Sequence, residues 1–322
     1  MPKQTVVVIG ATGSQGGSVV AELLQHPDRY HIRALTRDPT KDAAQALAKR
    51  GVEVQRADLD DGKEALATVF AGAHAIFALT DFWQTQSVDA EIQQGKAIAD
   101  AAAMTTTLQH FVWSALPDPV ALSGGQYLNV HHWKGKSLVT EYIQTEKPEL
   151  WARTTTVLFP NYFENCLTHP DRYLPVKDET GLYTLQFPHS PHTVLPNSAI
   201  ADTGKLIRVV LEGGPIFFRK TIAFWAQALS EAEKLAELGE YYNVPTQYRP
   251  TSASEFQRLL MSRDGMSEEI ALDFTEQLMI FETCGNVYAR NEFIQAKEIP
   301  GLELQTWSDF IRENKLLDQN EE

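Results

Sequence analysis

The sequence predicts an α/β fold: a doubly wound parallel sheet followed by a smaller, mainly helical C-terminal lobe. Short apolar, β-branched runs alternate with helix-length amphipathic runs through the first half of the chain, which is typical of a parallel sheet covered by helices. A glycine-rich turn follows the first apolar run, and the alternation stops after Pro160. The chain has 322 residues, of which 43% are hydrophobic and 22% charged, as in ordinary globular proteins.

Six strands and five helices are predicted before Pro160. The predicted strands cover residues 5–9, 31–36, 52–57, 73–79, 109–114 and 154–158. The predicted helices cover residues 15–25, 41–50, 63–70, 88–103 and 131–144. Alanine-rich spacing in the second and fourth helices, with Gly51 just beyond the second, supports these assignments. We therefore predict a first domain over residues 1–159.

After Pro160 the helical and strand periodicity is lost for some forty residues, because prolines recur at 170, 175, 188, 191 and 196. This segment is either a mobile lid or an irregular surface connection. Helical spacing returns at residues 200–211, 224–237, 253–261, 268–282 and 307–315. We predict a second lobe over residues 160–322 that binds a substrate or a partner, with the chain free to cross back to the first domain. Residues 318–322 are predicted to be a solvated tail.

Charge and cysteine content narrow the range of functions. The 42 acidic and 28 basic residues give a net charge of −14, which argues against direct binding to nucleic acid or to an anionic membrane. Cys166 and Cys284 fit neither a disulfide framework nor the spacing of metal ligands, so we expect a reducing, cytoplasmic setting and no metal site. No apolar run approaches the roughly 20 residues that span a bilayer.

A glycine motif follows the apolar run Val6 to Ile9 and opens the first predicted helix. Gly10, Gly13 and Gly16 stand three residues apart, in a GxxGxxG pattern. A side chain on any of them would block the tight turn or the approach of a pyrophosphate to the amides at the start of the helix. The pattern alone fits an ordinary strand-to-helix turn equally well. Its place inside a βαβ unit favours a Rossmann-type dinucleotide site.

The end of the second predicted strand indicates which dinucleotide is bound. Arg37 lies about twenty residues after the glycines, where the adenosine ribose is expected, and Lys41 follows one helical turn later. A guanidinium binds a 2′-phosphate through paired, charge-assisted hydrogen bonds, so we predict NADP(H). Alternatively, Arg37 pairs with Asp38 or faces water, and Asp38 selects NAD. Asp58, after the third strand, either accepts from the adenine amino group or caps a helix.

Three further side chains have the chemistry that carbonyl reduction requires. Ser114 closes the fifth predicted strand, and His132 and Lys136 lie four residues apart on one face of the next helix. An imidazolium donates a proton near neutral pH, a lysine tunes a neighbouring acid, and a hydroxyl orients the substrate oxygen. The alternative is a solvated helix face. Tyr127 is a second candidate acid, but no lysine follows it at four residues.

Two segments follow strands whose carboxyl ends should form the cleft. Thr80, Phe82 and Trp83 belong to the first, and Tyr162, Phe163 and Asn165 belong to the second. The aromatic side chains either cover a nicotinamide or pack one lobe on the other, and the polar ones offer contacts to the cofactor. Cys166 is interpreted as a small buried residue rather than as a reactive thiol.

Six segments, in this order along the chain, resemble the NmrA-like family, an atypical branch of the short-chain dehydrogenase/reductase superfamily. They are GATGSQGGSV at 10–19, LTRDPTK at 35–41, DLDD at 58–61, LTDFW at 79–83, HWKGK at 132–136 and PNYFEN at 160–165. The resemblance implies a Rossmann domain with NADP(H) as its cofactor. It also implies cofactor contacts at Gly10, Thr12, Gly13, Gln15, Gly16, Arg37, Lys41, Asp58, Thr80, Lys136, Tyr162 and Asn165.

The resemblance implies two functions. The wider superfamily acts through a tyrosine four residues before a lysine, and His132 stands in that tyrosine's place. NmrA-like members include redox sensors and transcriptional co-regulators, which implies a redox-sensing regulator with a protein partner such as a transcription factor, in the cytoplasm and also in the nucleus. Related isoflavone-reductase-like enzymes need only the lysine. The alternative is therefore an NADPH-dependent oxidoreductase of a small carbonyl, quinone or aryl-conjugated double bond, with Lys136 and His132 delivering a proton and Ser114 orienting the oxygen.

Overall fold

Strands joined by helices make up the first half of the chain, as predicted. The computed structural model describes residues 3–317, and the predicted tail at 318–322 lies outside the described residues. The strands are β1 (Gln4–Val8), β2 (Tyr30–Thr36), β3 (Glu53–Arg56), β4 (Ala75–Ala78), β5 (His110–Ala115) and β6 (Thr154–Leu158). The helices are α1 (Ser14–Leu23), α2 (Asp42–Lys49), α3 (Gly62–Phe70), α4 (Phe82–Thr85), α5 (Val88–Met104), α6 (Pro119–Leu122), α7 (His131–Glu146) and α8 (Pro148–Trp151). Each predicted strand and helix of this half is confirmed, and no end differs by more than two residues.

The second half of the chain combines short strands with longer helices. The strands are β7 (Asn161–Tyr162), β8 (Val176–Lys177), β9 (Tyr183–Phe187), β10 (Val194–Ser198), β11 (Lys220–Ala223), β12 (Gln227–Ser230), β13 (Thr246–Pro250) and β14 (Ile294–Gln295). The helices are α9 (Asn165–Thr168), α10 (Pro170–Tyr173), α11 (Asp202–Gly213), α12 (Glu231–Tyr242), α13 (Ala253–Arg263), α14 (Glu268–Cys284) and α15 (Trp307–Glu313). Two three-stranded sheets, β12-β10-β7 and β13-β9-β8, form here.

Eight parallel strands pair in the order β14-β11-β6-β5-β4-β1-β2-β3, so the predicted fold class is confirmed. The chain crosses back twice after β6 to add β11 and β14 to this sheet. The order of the strands reverses at β1, which lies between β2 and β4. In doubly wound sheets, ligands bind outside the carboxyl ends of the strands at such a reversal.

Two predictions for the second half need correction. Residues 224–237 were expected to be one helix, but residues 227–230 form β12 and pair with β10. The helix begins only at Glu231, because Ser230 and Glu233 form a capping box that fixes its first turn. The proline-rich segment is more regular than predicted, since it holds α10 and strands β8 to β10.

Apolar side chains on the two faces of the central sheet enter separate clusters. Val7 and Ile76 pack on one face, whereas Val6, Val8 and Phe77 pack on the other. This alternation is what a strand requires, because successive side chains point to opposite faces. None of the helices within residues 3–317 has the length and hydrophobicity of a segment that spans a bilayer.

Candidate functional site

The glycine motif forms a tight turn between β1 and α1. Gly10 has a φ of +65°, which a residue with a side chain rarely adopts, and its carbonyl oxygen accepts from the Gly13 amide at 2.9 Å. A Cβ on Gly16 would lie 2.3 Å from the Gly10 carbonyl oxygen. Gly13 is the N-cap residue of α1, and no side chain caps this helix. The loop therefore presents the first amides of α1 at the carboxyl edge of the sheet, and Thr12 and Gly13 are exposed there.

Arg37 is an exposed cation just beyond the end of β2. The side chain of Asp38 is hydrogen-bonded to Thr40, whose backbone amide and hydroxyl donate to Asp38 Oδ1 at 2.9 and 2.5 Å. These hydrogen bonds from Thr40 lower the pKa of the Asp38 carboxyl. Arg37 therefore does not pair with Asp38, and within residues 3–317 it makes no salt bridge; it faces water, as the other form of that alternative expected. Lys41, also exposed, stands at the N-cap of α2.

Asp58 has the helix-capping role that was one of its two interpretations. It is the N-cap residue of the 3₁₀-helix Leu59–Asp61, and its Oδ1 accepts from the Asp60 amide at 3.2 Å. The side chain of Asp60 is bound in turn by Gln94 Nε2 at 2.9 Å.

Lys136 lies in a buried polar cluster just beyond the carboxyl end of β4. Its Nζ donates to the carbonyl oxygen of Thr80 at 2.7 Å and to the Thr80 hydroxyl at 2.8 Å. Glu91 Oε1, on α5, lies 2.9 Å from Lys136 Nζ and accepts from the Thr80 hydroxyl at 2.8 Å. The Lys136 side chain is only 12% exposed, so the alternative of a solvated helix face is wrong here.

His132 lies one turn before Lys136 and is buried as well. Its Nδ1 contacts Oδ1 of Asp273 on α14, and its backbone amide donates to Asp273 Oδ2 at 3.1 Å. Asp273 is completely buried, and the His132 side chain is 9% exposed. The imidazole packs against Trp83 and Phe274, with ring centroids 5.0 and 6.4 Å away. His132 is therefore half of a carboxylate–imidazole pair inside an aromatic cage.

Sequence reasoning missed both Glu91 and Asp273, although each left a signal. Glu91 shares a helical face with Gly95 and Ile98, and Asp273 lies three residues after Ile270 on a buried face. A carboxylate on the apolar face of a helix requires a buried partner. The sequence could therefore have identified these positions, but not the partners that they contact.

A chain of hydrogen bonds joins Ser114, Gln15 and Tyr162. The Ser114 hydroxyl donates to Gln15 Oε1 at 2.8 Å, and Gln15 Nε2 donates to the Tyr162 hydroxyl at 2.8 Å. Burial raises the pKa of the Tyr162 phenol. These three residues come from β5, α1 and β7, so the chain connects the glycine loop to the second half of the molecule. Asn165, also predicted to contact the cofactor, begins α9.

The remaining candidates have structural roles or point to solvent. Phe163 is buried against Trp307 of α15, with ring centroids 5.3 Å apart, so it packs within the second half of the chain and not between the two lobes. Trp83 is 43% exposed, and its ring packs against His132 and against Phe274 of α14. Tyr127 bonds to the Thr283 hydroxyl at 2.8 Å. Cys166 is buried, and this burial raises the pKa of its thiol to about 12, so it is the small buried residue that was expected.

Acidic and imidazole side chains do not cluster as metal ligands within residues 3–317. The cations Arg37, Lys41 and Lys136 instead lie along one edge of the sheet, at the ends of β2 and β4. The glycine loop after β1 lies between these two strands. This arrangement can accept an elongated ligand that carries negative charge beside the loop and beside β2.

Comparisons with known proteins relate this chain to the NmrA-like family. A model described as the NmrA-like family matches residues 2–311. The chain is 34% identical over 195 residues to FrzB, an NmrA-like family domain-containing oxidoreductase of Cladobotryum sp, in an alignment that covers 57% of this chain and 56% of that protein. The chain therefore matches only about half the length of that relative.

Two solved structures share the fold. One is NmrA, a negative transcriptional regulator, in complex with NADP, with a TM-score of 0.70 and 23% identity over 97% of this chain and 91% of that chain. The other is an NADPH-dependent quinone oxidoreductase of Escherichia coli in complex with NADPH, with a TM-score of 0.71 and 20% identity over 96% of this chain and 99% of that chain. One of these neighbours is thus a regulator and the other an enzyme.

Proposed function

Because the chain belongs to the NmrA-like family, we propose that it binds NADP(H) at the carboxyl edge of its central sheet and acts as an NADPH-dependent oxidoreductase. One observation supports the enzyme most strongly: His132 and Lys136 lie one helical turn apart with side chains only 9% and 12% exposed, and each is paired with a buried carboxylate. A side chain that serves only as a solvated helix surface has no need of such a partner, whereas proton transfer requires a fixed acid.

The described residues fit the dinucleotide. The amides of the glycine loop suit the pyrophosphate, because Gly16, whose Cβ would clash with the Gly10 carbonyl oxygen, lets the turn close tightly at the start of α1. Arg37, which makes no salt bridge within residues 3–317, and Lys41 suit a 2′-phosphate beside β2. Thr80 and Lys136 suit the nicotinamide end, because they lie across the sheet at the end of β4.

We assign the following roles to the chain's own residues. Bound NADPH supplies a hydride to the substrate. Glu91 and Thr80 hold the Lys136 ammonium in place, and its positive charge favours negative charge that develops nearby. His132 delivers the proton to the substrate oxygen. The Ser114 hydroxyl, now bonded to Gln15, orients that oxygen once it turns from Gln15 to the substrate.

Loss of NADPH in the presence of carbonyl and quinone substrates tests this function. We expect turnover above about one per second for a suitable substrate, which is within the ordinary range of enzymes. Lys136→Ala should reduce turnover by about 10²–10⁴-fold, the usual contribution of an acid–base group. The matched control is Lys134→Ala, because Lys134 lies on the same helix but pairs with Asp118 at 3.2 Å.

The enzyme proposal would be abandoned if NADPH binds but no substrate in the panel is reduced. It would also be abandoned if Lys136→Ala and Lys134→Ala have equal effects on turnover. Loss of NADPH binding in both variants would indicate damage to the fold rather than to the chemistry.

A redox-sensing regulator is the second candidate, and the bridge from Gln15 to Tyr162 favours it. Both side chains are among the predicted cofactor contacts. A ligand that forms a hydrogen bond with Gln15 Nε2 or with the Tyr162 hydroxyl would therefore break the hydrogen bond that links the glycine loop to β7. A protein partner, such as a transcription factor, would then recognise the changed surface, and the net charge of −14 suits a protein partner better than DNA. Such a sensor requires different affinities for two conformations. Indistinguishable hydrogen-exchange patterns with NADPH and NADP⁺ would exclude this candidate.

A further inference from the structure

Asp273 is a buried carboxylate whose two hydrogen bonds within residues 3–317 both come from one residue. Its Oδ1 contacts His132 Nδ1, and its Oδ2 accepts from the His132 backbone amide at 3.1 Å. The residue is completely buried, and an unpaired carboxylate in such a place costs several kcal/mol. The two contacts therefore fix both the carboxylate and the imidazole with respect to the start of α7.

The contact with Asp273 determines which ring nitrogen of His132 is available. A carboxylate only accepts hydrogen bonds, so Nδ1 must carry the hydrogen that points to Asp273. Within residues 3–317 the side-chain hydrogen bond of His132 is made by Nδ1 and none by Nε2, and 9% of the side chain is exposed. The rings of Trp83 and Phe274 pack against the imidazole and restrain its plane, so the direction of Nε2 is fixed as well.

Few other charged groups surround this ring. Arg172 lies over the ring of Phe274, 4.4 Å from its centroid, and is paired with Asp264 at 2.9 Å. The adjacent His131 lies 3.7 Å from Glu269, which is largely exposed. Within residues 3–317, Asp273 is therefore the one side chain that forms an ion pair with His132.

We propose that Asp273 is a positioning residue: it fixes the Nδ1–H tautomer of His132 and thereby makes Nε2 the atom that exchanges a proton with the substrate. This inference rests on the proposed oxidoreductase function. Reduction of a carbonyl then adds a hydride from NADPH at carbon and the Nε2 proton at oxygen, giving an alcohol and NADP⁺. His132 is left as the neutral Nδ1–H tautomer, and a proton from water restores the imidazolium.

The substitution Asp273→Asn has a specific expected effect on this tautomer. The position of Oδ2 faces a backbone N–H donor, so the amide oxygen of asparagine should occupy it. The amide nitrogen then faces Nδ1, and because it donates, Nδ1 must become an acceptor. The proton of the neutral ring moves to Nε2, and loss of the Nε2 proton to the substrate would leave an Nδ1–H opposite the amide N–H, so proton delivery is disfavoured.

We would measure the tautomer by long-range ¹H–¹⁵N NMR of the ring nitrogens in the full chain without cofactor. In the neutral ring at alkaline pH, wild-type His132 should show a protonated Nδ1 and an unprotonated Nε2. Asp273→Asn should exchange these two signatures. It should also lower turnover by about 10²–10⁴-fold while NADPH affinity stays unchanged.

Glu276→Gln is the matched control. Glu276 lies on the same helix, and its carboxylate accepts from the backbone amide and side chain of Asn129 at 2.8 and 2.7 Å, just before α7. A role limited to docking α14 on α7 would affect both variants alike, whereas only Asp273→Asn should change the tautomer of His132.

Several results would overturn the inference. If NMR shows that the neutral ring of wild-type His132 is protonated at Nε2, the inference is wrong. This result needs no variant, so the test holds even if Asp273→Asn does not fold. An unchanged tautomer in Asp273→Asn, or an exchanged tautomer with undiminished turnover, would overturn the inference too. Failure of the oxidoreductase proposal looks different, because the tautomer would be as expected while no substrate is reduced by wild type.

Discussion

Buried ionisable side chains give the site its character at the scale of single residues. Glu91 and Asp273 are nearly or completely buried, and each contacts a basic side chain that also lies inside the molecule. Removing one member of such a pair leaves an uncompensated charge, which typically costs about 3–5 kcal/mol. The carboxylates therefore hold His132 and Lys136 in defined positions. Ion pairs exposed to solvent are much weaker and would not fix the side chains in this way.

A buried histidine outside the site should control part of the pH dependence of stability. Burial lowers the pKa of His110 to about 4, from an ordinary value of 6.5. Its Nε2 is bonded to the Thr155 hydroxyl at 2.7 Å, and its ring packs against Phe218. Between these two pKa values the unfolded chain binds a proton that the folded chain does not, so the free energy of unfolding falls as the pH drops through this window.

We therefore expect His110→Gln to flatten the pH dependence. The contribution of one histidine to the slope is at most about 1.4 kcal/mol per pH unit. Urea denaturation of both proteins from about pH 7 to pH 4 measures the two slopes. Equal slopes would show that His110 is not neutral in the folded state at these pH values.

At the scale of elements, helices α1 and α11 pack at very close range. Gly204 allows this approach, because a Cβ there would lie 2.3 Å from the backbone oxygen of Ser18 and 2.7 Å from Glu22 Cβ. The Gly204 amide donates to the Ser18 hydroxyl at 2.9 Å, and that hydroxyl donates to the Ala201 carbonyl oxygen at 2.8 Å. The helix that opens with the glycine loop is thus fixed to the second half of the chain.

We predict that Gly204→Ala lowers the free energy of unfolding by about 1–3 kcal/mol, because the added methyl group overpacks the contact. Gly17→Ala is the control within the same helix pair, since its Cβ would meet Ala11 O at an ordinary 3.6 Å. Gly17→Ala should raise the free energy of unfolding by up to about 1 kcal/mol, because alanine has a greater helix propensity than glycine. Urea midpoints measure both effects, and equal midpoints would contradict the close packing of these helices.

Local signals predicted the elements well but not their long-range contacts. The glycine turn and the six strands before Pro160 depend on neighbouring residues, so their patterns are visible in the sequence. Asp273 is 141 residues from His132, and Tyr162 is 147 residues from Gln15, distances over which no periodicity operates. Strand β12 was missed for a similar reason, because pairing with β10 overrides the helical spacing of residues 227–230.

At the scale of the whole molecule, both halves of the chain build the edge where the cofactor is proposed to bind. Strands β11 and β14 extend the sheet that the first half begins, and β7 supplies Tyr162 to the glycine loop. A ligand that spans this edge would contact residues from both halves and stabilise them together. Because the chain carries a net charge of −14, binding of an anionic dinucleotide depends on the local cations rather than on the overall field.

Calorimetric titration of the full chain with NADPH and NADH tests this account most directly. We predict that wild type binds NADPH more tightly, and that Arg37→Ala weakens NADPH at least about 10-fold, or roughly 1.4 kcal/mol, with little effect on NADH. The control is Arg50→Ala, because Arg50 is an exposed arginine at the opposite end of α2. An absence of heat at millimolar NADPH, or equal losses for both nucleotides in Arg37→Ala, would contradict the account.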